Sequence, residues 1–592
     1  MALTKLTHVR RPILDLGYAD VRDYGAKGDG VTDDTQSFLE AVAANSSVYV
    51  PVGSYLVKDL VLDAIPYLTL QGEGKIVQGT DTPVLVSNCT DLKISGIHFE
   101  GRVNAGRSGV LRLRGCSRAS VSDCIFSNMG DLGGLILETS TNVSITGNTF
   151  LNAQVASDRG FTIASDIRVW NTNSKVTIHD NTFSSNGAYA VNVNAQSPGS
   201  VVEDVIVTNN HISGYAAYGV MAYRNRQTAA ENHVGIGLIV SGNIISDITG
   251  ANPESPTSSR KTFGAGIYVQ GWEKSVVSAN KIFNVAQQTT DDLLAAAGVG
   301  VANCGSFVID GNLVDTSGFY GIKVNDSVDL GDATASAAIT NNVIRNTVRD
   351  GIQVVQRDNI NVSSNSVTSS QRNGIILQGN PSGPAVRSRK LVVGNMVSDI
   401  AQDGITIAYQ NQAEVSGNII NGCAQGIVAD SSSFFLIKDN MFKSVTGIVI
   451  RVNSTCSGGA TANLVSTNMV QDSGTGRLFV AAEASQLNNI GMTPEGAYGD
   501  MRRITVPATS LSVSGVNLLT LAFNTLSDLN TLSGGYVGQR ITFFIEAGRT
   551  NFVHGTNLML AGSVNYTPPA NACISFLCIS SGRWIEIGRV AP

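Results

Sequence analysis

The chain has 592 residues, of which 43% are hydrophobic and 15% charged, and it holds 62 glycines against 14 prolines. This composition favours β structure with many turns. The formal net charge is −6, so no chain-wide positive field exists that would attract nucleic acid or an anionic membrane surface. No long apolar run or N-terminal hydrophobic segment is present, and we predict neither membrane insertion nor a signal peptide.

The first predicted element is a short helix in a terminal cap. Asp33 and Gln36 have the spacing of a capping box, and the apolar pattern after them ends near Ala44. Strand patterns begin directly afterwards at SVYVP. We therefore predict that residues 1–45 cover one end of a β structure, because unpaired strand edges need protection.

Two internal repeats dominate residues 90–470. One has the form VSITGNTF, and its shortest spacings are 22 and 23 residues. The other is a glycine followed by an alternating strand, as in GIYVQ, and at six places it precedes the first repeat by 14 residues. The asparagines of the first repeat are Asn148, Asn181, Asn210, Asn243, Asn280, Asn312, Asn342, Asn365, Asn395, Asn418, Asn440 and Asn468.

A coil of this length, built of period-2 strands and tight turns, is one turn of a parallel β-helix. The sequence thus predicts an all-β fold with a right-handed parallel β-helix over residues 46–472. We expect its asparagines to occupy left-handed turn positions and to hydrogen-bond to neighbouring coils. The repeat breaks after residue 472, which predicts a linker at 473–500 and a C-terminal β-sandwich-like module at 501–592.

Apolar residues at outward strand positions favour a homotrimer. A lone helix would expose them as a stripe, and three helices packed side by side would bury it. These residues are Ile136, Val355, Ile376, Val428 and Val449. The eight cysteines occur without C-x-x-C pairs, so we expect buried thiols and predict no metal or other cofactor.

The segment DVRDYGAKGDGVTDDTQSFLEAVAANSSVYVPVGSYLV resembles the start of pectate-lyase-like β-helix proteins, which include phage tailspikes and several polysaccharide enzymes. The segment from GQRITFFIEAG to RWIEIGR resembles the terminal β module of phage tailspikes. The epimerase signature Asp-Pro-His and the polygalacturonase signatures Asn-Thr-Asp and Gly-His-Gly are absent, which disfavours the chemistry of those two families.

The tailspike resemblance implies a homotrimer whose C-terminal modules help trimerisation or bind carbohydrate. It implies a bacterial surface polysaccharide as substrate, namely capsule, exopolysaccharide or lipopolysaccharide O-antigen. It further implies phage baseplate or tail proteins as partners and a place in the virion. Tailspikes usually begin with an attachment domain, whereas this chain starts almost directly at the helix cap.

A sugar-binding groove needs aromatic faces, paired donors and a carboxylate pair, and we sought these at outward positions. Glu273 and Asp326 end strand patterns two coils apart, which places their backbones roughly 10 Å from each other. The leading hypothesis is an inverting hydrolase with Glu273 as general acid and Asp326 as general base, and Asp350 is a third catalytic candidate.

The remaining candidates come from the polar and aromatic region between residues 168 and 358. The predicted substrate-binding residues are Trp170, Tyr223, Arg224, Arg226, Tyr268, Trp272, Lys323, Asn325 and Gln353. A lyase is the first alternative, in which Lys323 neutralises a uronic-acid carboxylate and Tyr268 or Tyr223 is the base. A receptor-binding spike without catalysis is the second.

Overall fold

The chain forms two compact units, Met1–Arg349 and Asp350–Pro592. The structure is a computed structural model. It describes residues 17–102, 109–130, 133–152, 165–184, 187–195, 197, 199–224, 234–250, 264–286, 296–326, 335–380, 389–453, 456, 463–471, 477–480, 485–487, 493–495, 503–504, 508–513, 518–523, 525–535, 537–546 and 548–590.

The first unit is built of parallel strands in three stacks, to which successive coils add one strand each. Stack 1 contains Ala19–Asp20, Ser47–Val50, Thr69–Gly72, Lys93–Ser95, Ser117–Ser122, Thr141–Thr146, Asn173–His179, Val201–Thr208, Val234–Ser241, Glu273–Ser278, Phe307–Asp310 and Ala337–Thr340. Stack 2 contains Asp29–Asp33, Ser54–Val57, Lys75–Gln78, His98–Glu100, Ile125–Ser127, Thr149–Leu151, Thr182–Ser184, His211–Ser213, Ile244–Ile248, Lys281–Val285, Leu313–Ser317 and Val343–Thr347.

Stack 3 carries the glycine-led repeat. It contains Val61–Asp63, Val84–Ser87, Leu111–Arg114, Leu135–Glu138, Ser165–Trp170, Tyr189–Ala195, Tyr218–Arg224, Ala265–Gln270, Ala297–Ala302 and Tyr320–Asn325. Each strand pairs in parallel with the strand at the same position one coil on. The fold is therefore the predicted all-β, right-handed parallel β-helix.

The second unit has the same parallel pattern and adds a mixed sheet. Its coils contain Ile352–Val355, Ile360–Ser363, Ser366–Ser370, Ile375–Gln378, Lys390–Val393, Met396–Ala408, Ala413–Ser416, Ile419–Asp430, Leu436–Lys438, Met441–Lys443, Ile448–Val452, Leu464–Ser466, Met469–Gln471, Arg477–Val480, Ser485–Leu487 and Thr493–Glu495. A further sheet contains Arg503–Ile504, Leu518–Leu521, Arg540–Ile545, Leu558–Met559, Ala572–Ser580 and Arg583–Val590, and two strand pairs join Ser510–Ser512 to Thr531–Ser533 and Ser527–Leu529 to Thr550–Phe552.

A short helix precedes the coils of the first unit, as predicted. It spans Thr35–Ala44 and buries Phe38 against the ring of Tyr55. Asp33 accepts hydrogen bonds from the backbone and hydroxyl of Thr35, whereas Gln36 bonds to Glu40 rather than completing a capping box. The other short helical segments among the described residues are 3-10 turns at Val21–Tyr24 and Ala561–Ser563.

The asparagine ladder is structural, as predicted. The backbone N–H and the Nδ2 of Asn243 both donate to Oδ1 of Asn280, at 3.0 and 2.9 Å, and Asn280 donates in the same way to Asn312. The expected left-handed conformation falls on the preceding residue instead, for example Gly242 and Ala279. Because that residue turns the chain, the asparagine itself is free to point its amide along the ladder.

Asn280→Ala should lower the free energy of unfolding by about 1–3 kcal/mol. The substitution removes the buried acceptor of both Asn243 donors, and an unsatisfied buried donor costs about that much. The neighbouring Lys281 is exposed, so Lys281→Ala is the matched control and should change little. Denaturant unfolding of both variants tests this, and equal stabilities would contradict it.

The interior is apolar and holds the expected thiols. Rings of Phe99, Phe126, Phe150 and Phe183 stack along the first unit, with centroids 4.8 to 5.3 Å apart. Every cysteine is a free thiol and all but Cys573 are buried. Stacking like side chains on successive coils buries apolar area continuously, and each buried aromatic side chain stabilises the fold by about 1.5–3 kcal/mol.

The apolar residues that were expected to form an exposed stripe are buried or half-buried. Their exposure therefore no longer supports the prediction of a trimer. Ile136, Val428 and Val449 are buried within their own units, and Val355 and Ile376 are half-buried. For Ile136, a glycine of the neighbouring coil provides the cover, since Gly109 packs directly on its side chain. None of the helices among the described residues is long and apolar enough to cross a membrane.

Candidate functional site

The outer face of stack 3 carries two rows of side chains in register. The core residues Ile267 and Val269 are fully buried, so Tyr268 and Gln270, which alternate with them, belong to the opposite face. The first row is Arg112, Ile136, Arg168, Asn192, Met221, Tyr268, Gly300 and Lys323. The second row is Arg114, Glu138, Trp170, Asn194, Tyr223, Gln270, Ala302 and Asn325.

Two of the predicted catalytic carboxylates, those of Glu273 and Asp326, contact the backbone of the same turn. This turn, formed by residues 303–305, leads from stack 3 to stack 1 between the coils that carry Glu273 and Asp326. Asp326 Oδ1 accepts a hydrogen bond from the backbone N–H of Asn303 at 2.9 Å. An ideal Cβ on Gly305 would lie 1.6 Å from Glu273 Oε2, so that carboxylate rests directly against the backbone of Gly305.

Glu273 is held by a cation and is accessible to solvent. Its Oε1 lies 3.9 Å from Nη1 of Arg224, which also donates a 3.1 Å hydrogen bond to the carbonyl of Gly271. The side chain of Glu273 is 29% exposed and that of Arg224 is 12% exposed. This arrangement orients the Glu273 carboxylate and leaves it within reach of a ligand.

Asp326 is buried and has a fixed orientation. It is 8% exposed, and its hydrogen bond to Asn303 directs one carboxylate oxygen along the stack. Lys323 lies in the strand Tyr320–Asn325, which directly precedes Asp326, and places its ammonium 4.6 Å from the ring centroid of Tyr320. In the second row, Ala302 lies between Gln270 and Asn325, so the coil between those two residues carries only a methyl group at that position.

Tyr268 belongs to an aromatic cluster rather than standing alone. Its ring stacks on Tyr218 at 5.4 Å, and Tyr218 stacks on Tyr189 at 5.7 Å. Burial raises the pKa of the Tyr268 hydroxyl, and the nearby Cys304 and Tyr223 raise it further. Its hydroxyl donates to Gln270 at 2.5 Å. A phenol with a raised pKa is less often ionised at neutral pH and so less available as a base, which disfavours Tyr268 but not Tyr223 as the base of the lyase alternative.

Two of the predicted site residues, Trp272 and Asp350, are fully buried within the fold. Trp272 is fully buried, and the α-carbon of Gly235 makes room for its ring, so it offers no face to a sugar. Asp350, in the second unit, is also fully buried and forms a bidentate ion pair with Arg372 and a 3.1 Å hydrogen bond from Asn373 N–H. These surroundings favour roles in packing for both residues.

The other predicted binding residues fall into three groups. Trp170, Tyr223, Lys323 and Asn325 lie in the two rows of the first unit, together with Arg224 at the end of the same stack. Gln353 is buried in the strand Ile352–Val355 of the second unit. Arg226 lies outside the described residues. Among the described residues, no three His, Cys, Asp or Glu side chains are grouped to hold a metal ion.

If Glu273 is the predicted general acid, Gly305→Ala should lower the rate of its reaction by about 10²-fold. The new methyl group would occupy the position of the Glu273 carboxylate, and a displacement of about 1 Å can cost that much in rate. Gly588 has open space around its Cβ direction, so Gly588→Ala is the control. The rate of polysaccharide cleavage, the reaction predicted from the sequence, tests this in both variants, and full activity of Gly305→Ala would contradict a catalytic role for Glu273.

Sequence reasoning missed the residues that shape the turn and one end of the face. Gly305 carries no recognisable signal, since its importance comes from a side chain one coil away. Arg112 and Arg114 did carry one, because they alternate with leucine in LRLRG, directly before the strand with Glu138. Both donate to Oε2 of Glu138, at 2.5 and 2.8 Å.

Two family models match parts of the chain, each covering less than half of it. Residues 18–251 match the model described as rhamnogalacturonase A/epimerase, pectate lyase-like. Residues 239–445 and 330–491 match the model described as periplasmic copper-binding protein (NosD). The N-terminal part of the chain is thus pectate-lyase-like in sequence, in agreement with its fold.

Curated relatives match over short segments only. A 66-residue segment is 41% identical to plasmin and fibronectin-binding protein A of Streptococcus pneumoniae, covering 10% of this chain and 9% of that protein. A 37-residue segment is 54% identical to the pre-neck appendage protein of Bacillus phage phi29, covering 6% of this chain and 4% of that protein. The chain therefore spans less than a tenth of the length of these relatives.

Solved structures with similar coordinates include a phage protein and a glycosidase. The N-terminal fragment of bacteriophage phi29 gene product 12 has a TM-score of 0.44 at 14% identity, covering 87% of this chain and 92% of that chain. The catalytic unit of a GH87 α-1,3-glucanase from Streptomyces thermodiastaticus has a TM-score of 0.41 at 17% identity, covering 75% and 69%.

Proposed function

We propose that the chain is a phage tailspike that binds a bacterial surface polysaccharide and hydrolyses its glycosidic bonds. The observation that carries this proposal is the pair of carboxylates, Glu273 and Asp326, that reach the 303–305 turn from the coils on either side. Inverting glycosidases place a general acid and a general base about 6.5–9.5 Å apart. Two carboxylates one coil above and one coil below a single turn suit that separation.

The roles follow from the surroundings of each carboxylate. Glu273 is the more exposed, so it can reach a glycosidic oxygen and protonate the leaving group. Asp326 is buried and oriented by the Asn303 N–H, so it can hold a water and remove its proton as that water attacks the sugar carbon. Tyr223, Arg224, Lys323 and Asn325 line the same region and bind the hydroxyl groups of the chain.

The phage setting is supported by resemblance. The C-terminal segment resembles tailspike modules, and one short segment matches a phage pre-neck appendage protein. The pectate-lyase-like family match over residues 18–251 supports an ancestry among polysaccharide-acting proteins. A homotrimer in the virion, attached to phage baseplate or tail proteins, is part of this proposal, and light scattering of the purified protein tests the trimer.

The deciding experiment is mass spectrometry of products formed from capsular, exopolysaccharide and O-antigen preparations in oxygen-18 water. Hydrolysis gives oligosaccharides that carry the label at the new reducing end. A lyase would give unlabelled products that are lighter by one water and contain a double bond, and this outcome would overturn hydrolysis. Binding with no product from any preparation would instead indicate a receptor-binding spike without catalysis.

A further inference from the structure

One end of the outer face holds more positive than negative charge. Arg112 and Arg114 lie on one coil of stack 3, Glu138 lies on the next coil, and Arg168 lies on the coil after that. Both Arg112 and Arg114 donate to the same oxygen of Glu138. Burial alone would raise the pKa of Glu138, but the hydrogen bonds and charges of the two arginines outweigh it and lower that pKa. The Glu138 carboxylate is thus ionised and is already bound by two arginines.

Arg168 is a buried cation without an ion-pair partner among the described residues. It is 3% exposed, and it points away from the core because Ile167 and Val169 on either side of it are fully buried core residues. Among the described residues no carboxylate pairs with Arg168, and its Nε has no hydrogen-bond partner. An uncompensated buried charge is strongly unfavourable, so this position is suited to an anion supplied from outside the chain.

Two neighbours of Arg168 offer further groups to a ligand. Its guanidinium lies 4.3 Å from the ring centroid of Trp170, which is only half-buried. Asn192, one coil on in the same row, is fully buried, donates to Ser165 Oγ at 3.2 Å and leaves its own Oδ1 without a donor. Buried polar atoms are normally satisfied, so an acceptor for Arg168 and a donor for Asn192 are both expected from a ligand.

We propose that Arg168, Asn192 and Trp170 form a subsite for a carboxylate-bearing sugar residue. A planar carboxylate matches the guanidinium fork, an adjacent hydroxyl of the sugar donates to Asn192 Oδ1, and the Trp170 ring packs against the sugar. The first row places Arg168 three coils from Tyr268, which is roughly 14 Å along the face. The subsite therefore lies beside the cleavage site and selects acidic polysaccharides.

This subsite deepens the proposed function and rests on it for the polymer in which the acidic sugar occurs. Its test uses monosaccharides and measures binding alone, so that it can fail or succeed independently of cleavage. The chain has three tryptophans, of which Trp272 and Trp584 are fully buried. Acrylamide quenching of the fluorescence therefore reports chiefly on Trp170.

Sodium glucuronate should protect the fluorescence of the intact protein from acrylamide at concentrations where glucose does not. In Arg168→Gln the glucuronate affinity should fall by about tenfold or more, because a charge-assisted bidentate contact is lost. Arg345 of the same unit is exposed, so Arg345→Gln is the matched control and should bind normally. If Arg168→Gln does not fold, Arg168→Lys keeps the charge, loses the fork and should show weaker binding.

Equal protection by glucuronate and glucose would overturn the proposal, and so would unchanged glucuronate binding in Arg168→Gln. Tighter binding of glucose 6-phosphate than of glucuronate would overturn the assignment to a carboxylate. Once a polymer that the protein cleaves has been identified, chemical reduction of the carboxyl groups of that polymer should abolish binding at this subsite. Undiminished cleavage of the reduced polymer would reject the subsite while leaving the hydrolase intact.

Discussion

Glu273→Gln and Asp326→Asn should each lower the rate of polysaccharide cleavage by about 10²–10⁴-fold, the range that a general acid or base contributes. Both replacements preserve the size of the side chain, and the amide introduced at position 326 still offers an oxygen to the Asn303 N–H. Binding should survive, because the proposed substrate contacts are spread over the outer face. The measurement is product formation per folded protein, with substrate affinity determined separately.

A matched carboxylate is available two coils earlier. Glu203 occupies the same strand position as Glu273, with Ile236 between them, and it is exposed. Glu203→Gln should therefore leave cleavage unchanged. If Glu273→Gln and Glu203→Gln behaved alike, the carboxylate pair at the 303–305 turn would have no catalytic role, whatever the protein does with polysaccharide.

Arg372→Gln should lower the free energy of unfolding by about 3–5 kcal/mol. Asp350 is fully buried, and removing its partner leaves a charge that neither water nor another cation compensates to the same degree. Arg389 provides the control, because its side chain is 72% exposed and its contact with Glu414 is 3.6 Å long. A surface pair of that kind is worth about 0–1 kcal/mol.

Guanidinium unfolding of Arg372→Gln and Arg389→Gln measures this difference directly. A further variant tests the role of Asp350, which is the third catalytic candidate from the sequence. If Asp350 is structural, Asp350→Asn should lose stability but retain its rate of cleavage per folded molecule. A stable Asp350→Asn protein that has lost cleavage would restore Asp350 to the catalytic group.

The parallel β-helix could be predicted because its repeats can be read directly in the sequence. A fixed interval of 14 residues between glycine and asparagine, and coils of 22 or 23 residues, leave few alternatives to parallel strands in register. What the pattern could not predict was which turn residue is left-handed. Asparagine tolerates that conformation well, yet the structure gives it to the residue before, such as Gly242.

The candidate site was only partly predictable, since loops of different length separate the coils. The convergence of Glu273 and Asp326 on one turn agrees with their expected separation of two coils. The burial of Trp272 depends on Gly235, which is far from it in sequence and faces it only after the strands pair. The partner of Asp350 was within reach, because Arg372 follows it by 22 residues, the length of one coil.

The ladder also bears on where a protease can begin to digest the protein. Each asparagine satisfies the donors of the coil before it, so an internal coil cannot open without leaving buried groups unpaired in its neighbour as well. Opening is therefore cheapest at the two ends of the ladder, and a protease must start there and proceed one coil at a time. Resistance to digestion should depend on the end coils far more than on the average stability of the chain.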